Sequence, residues 1–206
     1  MKNSKFIYFT FLFLITSCSE EMALPKLPAD AVILAFGDSL TYGKGASPDE
    51  SYPAVLASLS GRQVINAGIS GEESAAGLAR LPALLDAHQP KLMILCHGGN
   101  DFLRKKSIEK LESNLRAMIG LAKSRNIPVV MLGVPKPGLS LSSAEVYGKI
   151  AESGEIVFIE DLLADVLGDN SLKSDTVHPN GKGYQVIAEQ IVETLSLAGA
   201  LWIEQN

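Results

Sequence analysis

Val32-Ile-Leu-Ala-Phe36 runs straight into Gly37-Asp38-Ser39-Leu40-Thr41-Tyr42-Gly43. An unbroken apolar run closed by a Gly-Asp turn reads as a strand covered on both faces. Gln63–Asn66, Leu92–Cys96, Pro128–Leu132 and Ile156–Ile159 repeat the pattern further along the chain. Between these runs lie helix candidates over Tyr52–Ser60, Glu72–Ala87, Ser107–Ser124, Ser142–Ser153 and Lys182–Ala198. Leu78, Leu81, Leu84 and Leu85 mark an apolar stripe in the second of these, as do Val186, Ile187, Ile191 and Leu195 in the last. Strict alternation of short apolar runs with amphipathic ones predicts a parallel sheet with helices on both faces, joined by right-handed crossovers. The fold class is α/β, in one domain.

Composition agrees with a single globular unit: 206 residues, 47% hydrophobic and 20% charged. The 18 basic against 23 acidic residues give a net charge of −5, which speaks against a nucleic-acid partner. Two cysteines exclude a disulfide scaffold and a zinc ribbon. Cys96 lies in an apolar strand candidate, where a free thiol acts as a small hydrophobe.

The first residues follow a different logic. Lys2 and Lys5 precede Phe6–Ile15, a near-continuous apolar run. It is shorter than the roughly 20 residues a membrane-spanning helix needs, and it has the flanks of a signal peptide. The run ends in Leu14-Ile15-Thr16-Ser17-Cys18, which resembles the lipobox of bacterial lipoproteins. The competing readings are an ordinary signal with Cys18 incidental, or a short membrane anchor. On the lipobox reading, residues 1–17 are removed, Cys18 is lipidated, 18–29 form a tether with Pro25 and Pro28, and 30–206 form the domain. Loss of Lys2 and Lys5 makes the mature chain more acidic. Ser19 after the cysteine resembles the sorting signal for the outer membrane. The expected location is therefore the bacterial cell envelope, lipid-anchored, at the outer membrane facing the periplasm.

In open α/β sheets the site lies at the carboxyl ends of the strands. Ser39 follows the first strand candidate on a strand-to-helix turn, where its hydroxyl and its own N–H project at the sheet edge; alone, it reads as a turn cap. Asn66-Ala-Gly68-Ile-Ser-Gly71 follows the second, and Gly68 there permits close backbone approach and an exposed N–H. Gly98-Gly99-Asn100-Asp101 follows the third and offers a side-chain amide donor. Asp175-Thr-Val-His178-Pro179-Asn180 stands just before the last helix, with Pro179 suited to its first turn. The Asp-x-x-His spacing lets the carboxylate reach Nδ1 and leaves Nε2 to take a proton from a serine. His88 ends a helix candidate and His97 has no orienting carboxylate nearby in sequence except Asp101, so His178 is the candidate base.

Together, in this order, the four blocks resemble the SGNH (GDSL-type) hydrolase family, named for a Ser, a Gly, an Asn and a His. Here these match Ser39 in Gly-Asp-Ser-Leu, Gly68, Asn100 in Gly-Gly-Asn-Asp, and His178 in Asp-x-x-His-Pro. Ala76–Leu85 and the following His88–Pro90 are similar to the thioesterase I, lysophospholipase and arylesterase branch. His97 before the double glycine is unexpected for that branch and raises an effect on the acyl pocket. The resemblance implies a flavodoxin-like three-layer α/β/α sandwich with a five-stranded parallel sheet. It implies Ser39 as nucleophile, His178 as base and then acid, Asp175 as orienting carboxylate, and an oxyanion hole of Ser39, Gly68 and Asn100. Acyl transfer through an acyl-serine needs no metal and no organic cofactor. The implied partners are small-molecule acyl esters, thioesters or lysophospholipids, with the membrane contacted through the lipid and a monomer favoured. The rival readings are a carbohydrate acetylesterase of the same fold and a non-catalytic surface-binding lipoprotein. The latter should have lost a triad or oxyanion residue, and none is lost. Phe102–Lys106 and Pro135–Ser143 are expected to border the site, with Leu139 and Leu141 as an apolar lip.

Overall fold

A computed structural model describes residues 23–136, 138 and 141–202. The signal segment, Cys18 and Leu139 lie outside the described residues. Strands β1 (Val32–Gly37), β2 (Gln63–Gly68), β3 (Leu92–Cys96), β4 (Val129–Leu132) and β5 (Val157–Ile159) pair in parallel in the order β2-β1-β3-β4-β5. Helices α1 (Ser39–Tyr42), α2 (Tyr52–Ser60), α3 (Ser74–His88), α4 (Gly99–Leu103), α5 (Ile108–Lys123), α6 (Glu145–Ala151), α7 (Leu162–Gly168) and α8 (Gly181–Leu197) complete the chain. A single 3₁₀ turn, Pro48–Glu50, precedes α2. On one side of the sheet α2 and α7 pack on α8; on the other α3, α5 and α6 pack together. The result is the three-layer α/β/α sandwich with a five-stranded parallel sheet.

The central strands are as buried as their composition demands. All of β3 and β4 is buried, and β1 is buried beyond Val32. β2 and β5 differ from the expectation of strands covered on both faces, because they are the sheet edges and stay half-exposed. In α3 the stripe buries Leu81 and Leu85 fully, with Leu78 and Leu84 partly covered. In α8 it buries Ile187, Ile191 and Leu195, while Val186 turns outward.

Three boundaries depart from the sequence reading for visible reasons. α3 begins at Ser74, because Glu72 is still in a turn whose N–H donates to Ile69 O at 3.2 Å. α6 begins at Glu145, because Ser143 is held in a β-bridge to Pro135 and donates its N–H to Asp161 Oδ1 at 2.8 Å. Pro179 is not in the first turn of α8; Asn180 caps that helix by accepting from Gly183 N–H at 3.1 Å. Leu24 and Leu27, expected in the tether, belong to the core and are 7% and 2% exposed.

The order β2-β1-β3 sends the chain in opposite directions after β1 and β3. A crevice therefore opens at the carboxyl ends of these two strands, where ligands bind in open α/β sheets.

Candidate active site

Ser39 reaches this crevice because β1 ends in a turn that a buried carboxylate closes. Asp38, 2% exposed, caps the short α1 by accepting Leu40 N–H at 3.1 Å. Burial pushes its carboxyl above the usual range, against the pull of His97, the Leu40 N–H, His178 and Asn100. Ser39 is the first residue of α1, so its N–H has no acceptor within the helix.

The loop before α8 brings the second part. Ser174 N–H donates to His178 O at 2.9 Å, and the Asn180 side chain ties back to Ser171 O at 2.9 Å. Asp175 Oδ1 accepts the N–H groups of Val177 and His178 at 2.8 and 2.9 Å. Asp175 Oδ2 lies 2.7 Å from His178 Nδ1, and His178 Nε2 lies 3.0 Å from Ser39 Oγ. Partial burial raises the Asp175 carboxyl, but the two N–H groups and the imidazole more than reverse this and hold it below the usual range. A carboxylate therefore fixes the His178 tautomer with Nε2 free to accept the serine proton.

Asn100, the second residue of α4, donates through Nδ2 to Glu72 O at 3.0 Å and to Asp38 Oδ2 at 3.2 Å. Its amide lines the same cavity as Ser39 and His178, with a volume of about 540 Å³. Leu103, Val134, Leu141, Leu167 and Val177 give that cavity largely apolar walls, in the size range of small-molecule sites.

Gly68 is not brought to the crevice, and the expectation that it supplies a donor is corrected. Its N–H is spent on Asn66 Oδ1 at 3.0 Å. Glycine is needed there because a Cβ would overlap the backbone of Thr41 and Tyr42 in α1. Gly71, three residues on and in the left-handed region at φ +80°, lines the cavity instead beside Ser70. The sequence offered both glycines in one block, and only the hydrogen-bond partner of Gly68 separates them.

His97 is also placed differently from the sequence reading. Its ring is fully buried and is not among the cavity walls. Its carboxylate is Glu72, not Asp101, which instead accepts Ser74 N–H at 2.9 Å and Ser74 Oγ at 2.6 Å. His88 sits in the last turn of α3 as expected. Cys96 is a buried thiol whose ionisation burial pushes well up. Among the described residues, no three His, Cys, Asp or Glu side chains gather where they could hold a metal ion.

This geometry has counterparts among known proteins. Esterase TesA of Pseudomonas aeruginosa is 31% identical over 193 residues, covering 88% of this chain and 96% of its own. Thioesterase 1/protease 1/lysophospholipase L1 of Escherichia coli K12 is 31% identical over 178 residues, covering 82% of this chain and 86% of its own. The crystal structure of the psychrotrophic esterase EstA from Pseudoalteromonas sp., inhibited by monoethylphosphonate, superimposes with a TM-score of 0.72 at 28% identity. That alignment covers 82% of this chain and 98% of EstA. A family model matches residues 35–186, from within β1 to within α8, and so takes in every block that meets at the crevice: the chain belongs to the GDSL-like lipase/acylhydrolase family.

Proposed function

We propose that the chain is a serine esterase and thioesterase for medium- to long-chain acyl groups, lysophospholipids included. The observation that carries the proposal is the line Asp175–His178–Ser39, at 2.7 and 3.0 Å, opening on an apolar-walled cavity of about 540 Å³. In this reading Ser39 Oγ attacks the acyl carbonyl while His178 Nε2 takes its proton. The tetrahedral intermediate then expels the alcohol or thiol, which leaves with that proton. Water, deprotonated in turn by His178, attacks the acyl-serine; the acid departs and the proton returns to Ser39. Charge on the carbonyl oxygen meets the N–H groups of Ser39 and Gly71 and the Asn100 amide, whose longer bond, to Asp38, is the one that yields.

Each methylene buried along the leucine-lined wall adds ~0.8 kcal/mol to binding, about fourfold per carbon. With p-nitrophenyl esters, kcat/KM is expected to rise from acetate to medium chains and then level off. An organophosphorus serine probe is expected to label the chain once and to fail on Ser39→Ala. A profile peaking at acetate, or labelling that survives Ser39→Ala, overturns the proposal.

A lipid anchor is the second part of this reading. It is supported by Lys2, Lys5, the apolar run Phe6–Ile15 and the lipobox-like Leu14–Cys18. Among the described residues no helix is long and apolar enough to cross a membrane. Incorporation of a clickable fatty acid by the full chain in a bacterial host, lost in Cys18→Ala, is the expected result. Equal labelling of the variant contradicts the anchor.

A further inference from the structure

His97 closes β3 behind the crevice, and nothing in the acyl-transfer steps uses it. Its carbonyl accepts Tyr147 OH at 2.8 Å, and its ring lies 5.8 Å from that of Phe36. α3 comes so close that a Cβ on Gly77 would overlap the imidazole. Nε2 is 3.2 Å from Glu72 Oε2, while the buried Nδ1 has no hydrogen-bond partner among the described residues. The tautomer that fits is Nε2–H, donating to Glu72 and leaving only an unused lone pair at Nδ1. The other would bury an unpaired N–H, the costlier error.

Glu72 is gripped from its other side as well. Arg80 Nε donates to its two oxygens at 2.8 and 3.0 Å, and Arg80 Nη2 donates to Oε2 at 2.6 Å. The same Nη2 reaches Ala67 O at 2.8 Å and Gly37 O at 3.3 Å, at the ends of β2 and β1. The backbone carbonyl of Glu72 is one of the two acceptors of Asn100 Nδ2, at 3.0 Å. A side chain clamped between His97 and Arg80 fixes its own backbone, and that backbone aims the Asn100 amide.

We propose that His97 is a positioning residue for the acyl-transfer step: through Glu72 it fixes the carbonyl that aims the Asn100 amide at the crevice. The proposal rests on the reading that Asn100 stabilises the oxyanion. A histidine that only filled the core would affect stability and the fraction of folded enzyme, not turnover per active site.

The test is kcat per active site, titrated with the serine probe, for His97→Leu, His97→Gln, Asn100→Ala and the double variant His97→Leu/Asn100→Ala. Asn100→Ala is expected to lower kcat ~10²–10³-fold. His97→Leu is expected to lower it about 10-fold with KM changed less than about twofold, since sub-ångström misplacement of a donor is felt in kcat. His97→Gln, whose Nε2 stands near the imidazole Nε2, should recover kcat to within about threefold of the parent. In the Asn100→Ala background His97→Leu should cost less than about twofold, because the group it positions is gone. An undiminished kcat in His97→Leu, an equal loss in both backgrounds, or a Gln variant no better than Leu overturns the positioning role. Near-normal turnover in Asn100→Ala instead overturns the oxyanion reading, and the positioning role with it. If His97→Leu does not fold, Arg80→Lys loosens the same clamp from its more open side. A loss in kcat confined to the Asn100 background then supports the role, and an equal loss in both refutes it.

Discussion

Glu72 takes hydrogen bonds from Arg80 and His97 at once, and its side chain is only 7% exposed. Burial alone would raise its carboxyl, but these partners more than compensate and lower it from 4.5 to about 2. A carboxyl lowered on folding adds stability that is fully present above its unfolded value and drains away as pH falls toward the folded one. Glu72→Gln is therefore expected to be less stable at pH 7 by ~1–3 kcal/mol. The gap in Tm to the parent should be widest above pH 4.5 and close as pH approaches 2. Thermal unfolding of both proteins across that range checks it, and a gap constant with pH would refute the linkage. At this scale the candidate residues were legible: Ser39, Asn100, Asp175 and His178 stand in motifs, and the structure lines the crevice with Ser39, Asn100 and His178 and sets Asp175 against the imidazole at 2.7 Å. Gly71 on the cavity wall and Glu72 as the partner of His97 were not legible. Their placement depends on which neighbour satisfies which donor, and such neighbours are distant in sequence: His97 and Glu72 are 25 positions apart.

Elements were legible in proportion to their length. The five strands and the helices α2, α3, α5 and α8 carry enough residues for apolar runs or a helical period to show. α1 has 4 residues and α4 has 5, too few for a period, yet Ser39 and Asn100 stand on them. α7 was hidden for the opposite reason. Leu162, Leu163, Ala164, Val166 and Leu167 are all buried, so no polar face alternates with the apolar one. The motifs thus announced the chemistry, while the short helices that aim it emerge only from local closure: Asp38 capping α1, and Gly98 at φ +117° opening α4.

The whole molecule has a catalytic end and an opposite end. α8 starts next to His178 and runs 17 residues back along the sandwich, about 25 Å at helical rise. At its far end Ala198 O and Ala200 O accept the N–H groups of Leu24 and Leu27 at 2.8 and 2.9 Å. The chain then enters the sheet at Val32. Residues 24–27 are therefore docked where the strands begin, away from the crevice. A lipid at Cys18 would hold the domain by that end, with the crevice opening away from the anchoring surface. A chain starting at residue 23 is thus expected to keep kcat/KM for a dispersed p-nitrophenyl ester within about twofold, with Tm unchanged, since it retains every contact just described. A chain starting at residue 29 loses the burial of two leucines, three backbone hydrogen bonds (the third from Ala31 N–H to Pro28 O) and the Arg62 Nη2 bond to Leu27 O. That costs about 3–5 kcal/mol, enough to lower Tm by on the order of 10 °C in a domain of this size. Turnover per folded molecule should survive, because the lost contacts lie at the end of α8 remote from His178. Activity that vanishes at the first truncation while Tm holds would mean instead that the preceding residues reach the crevice.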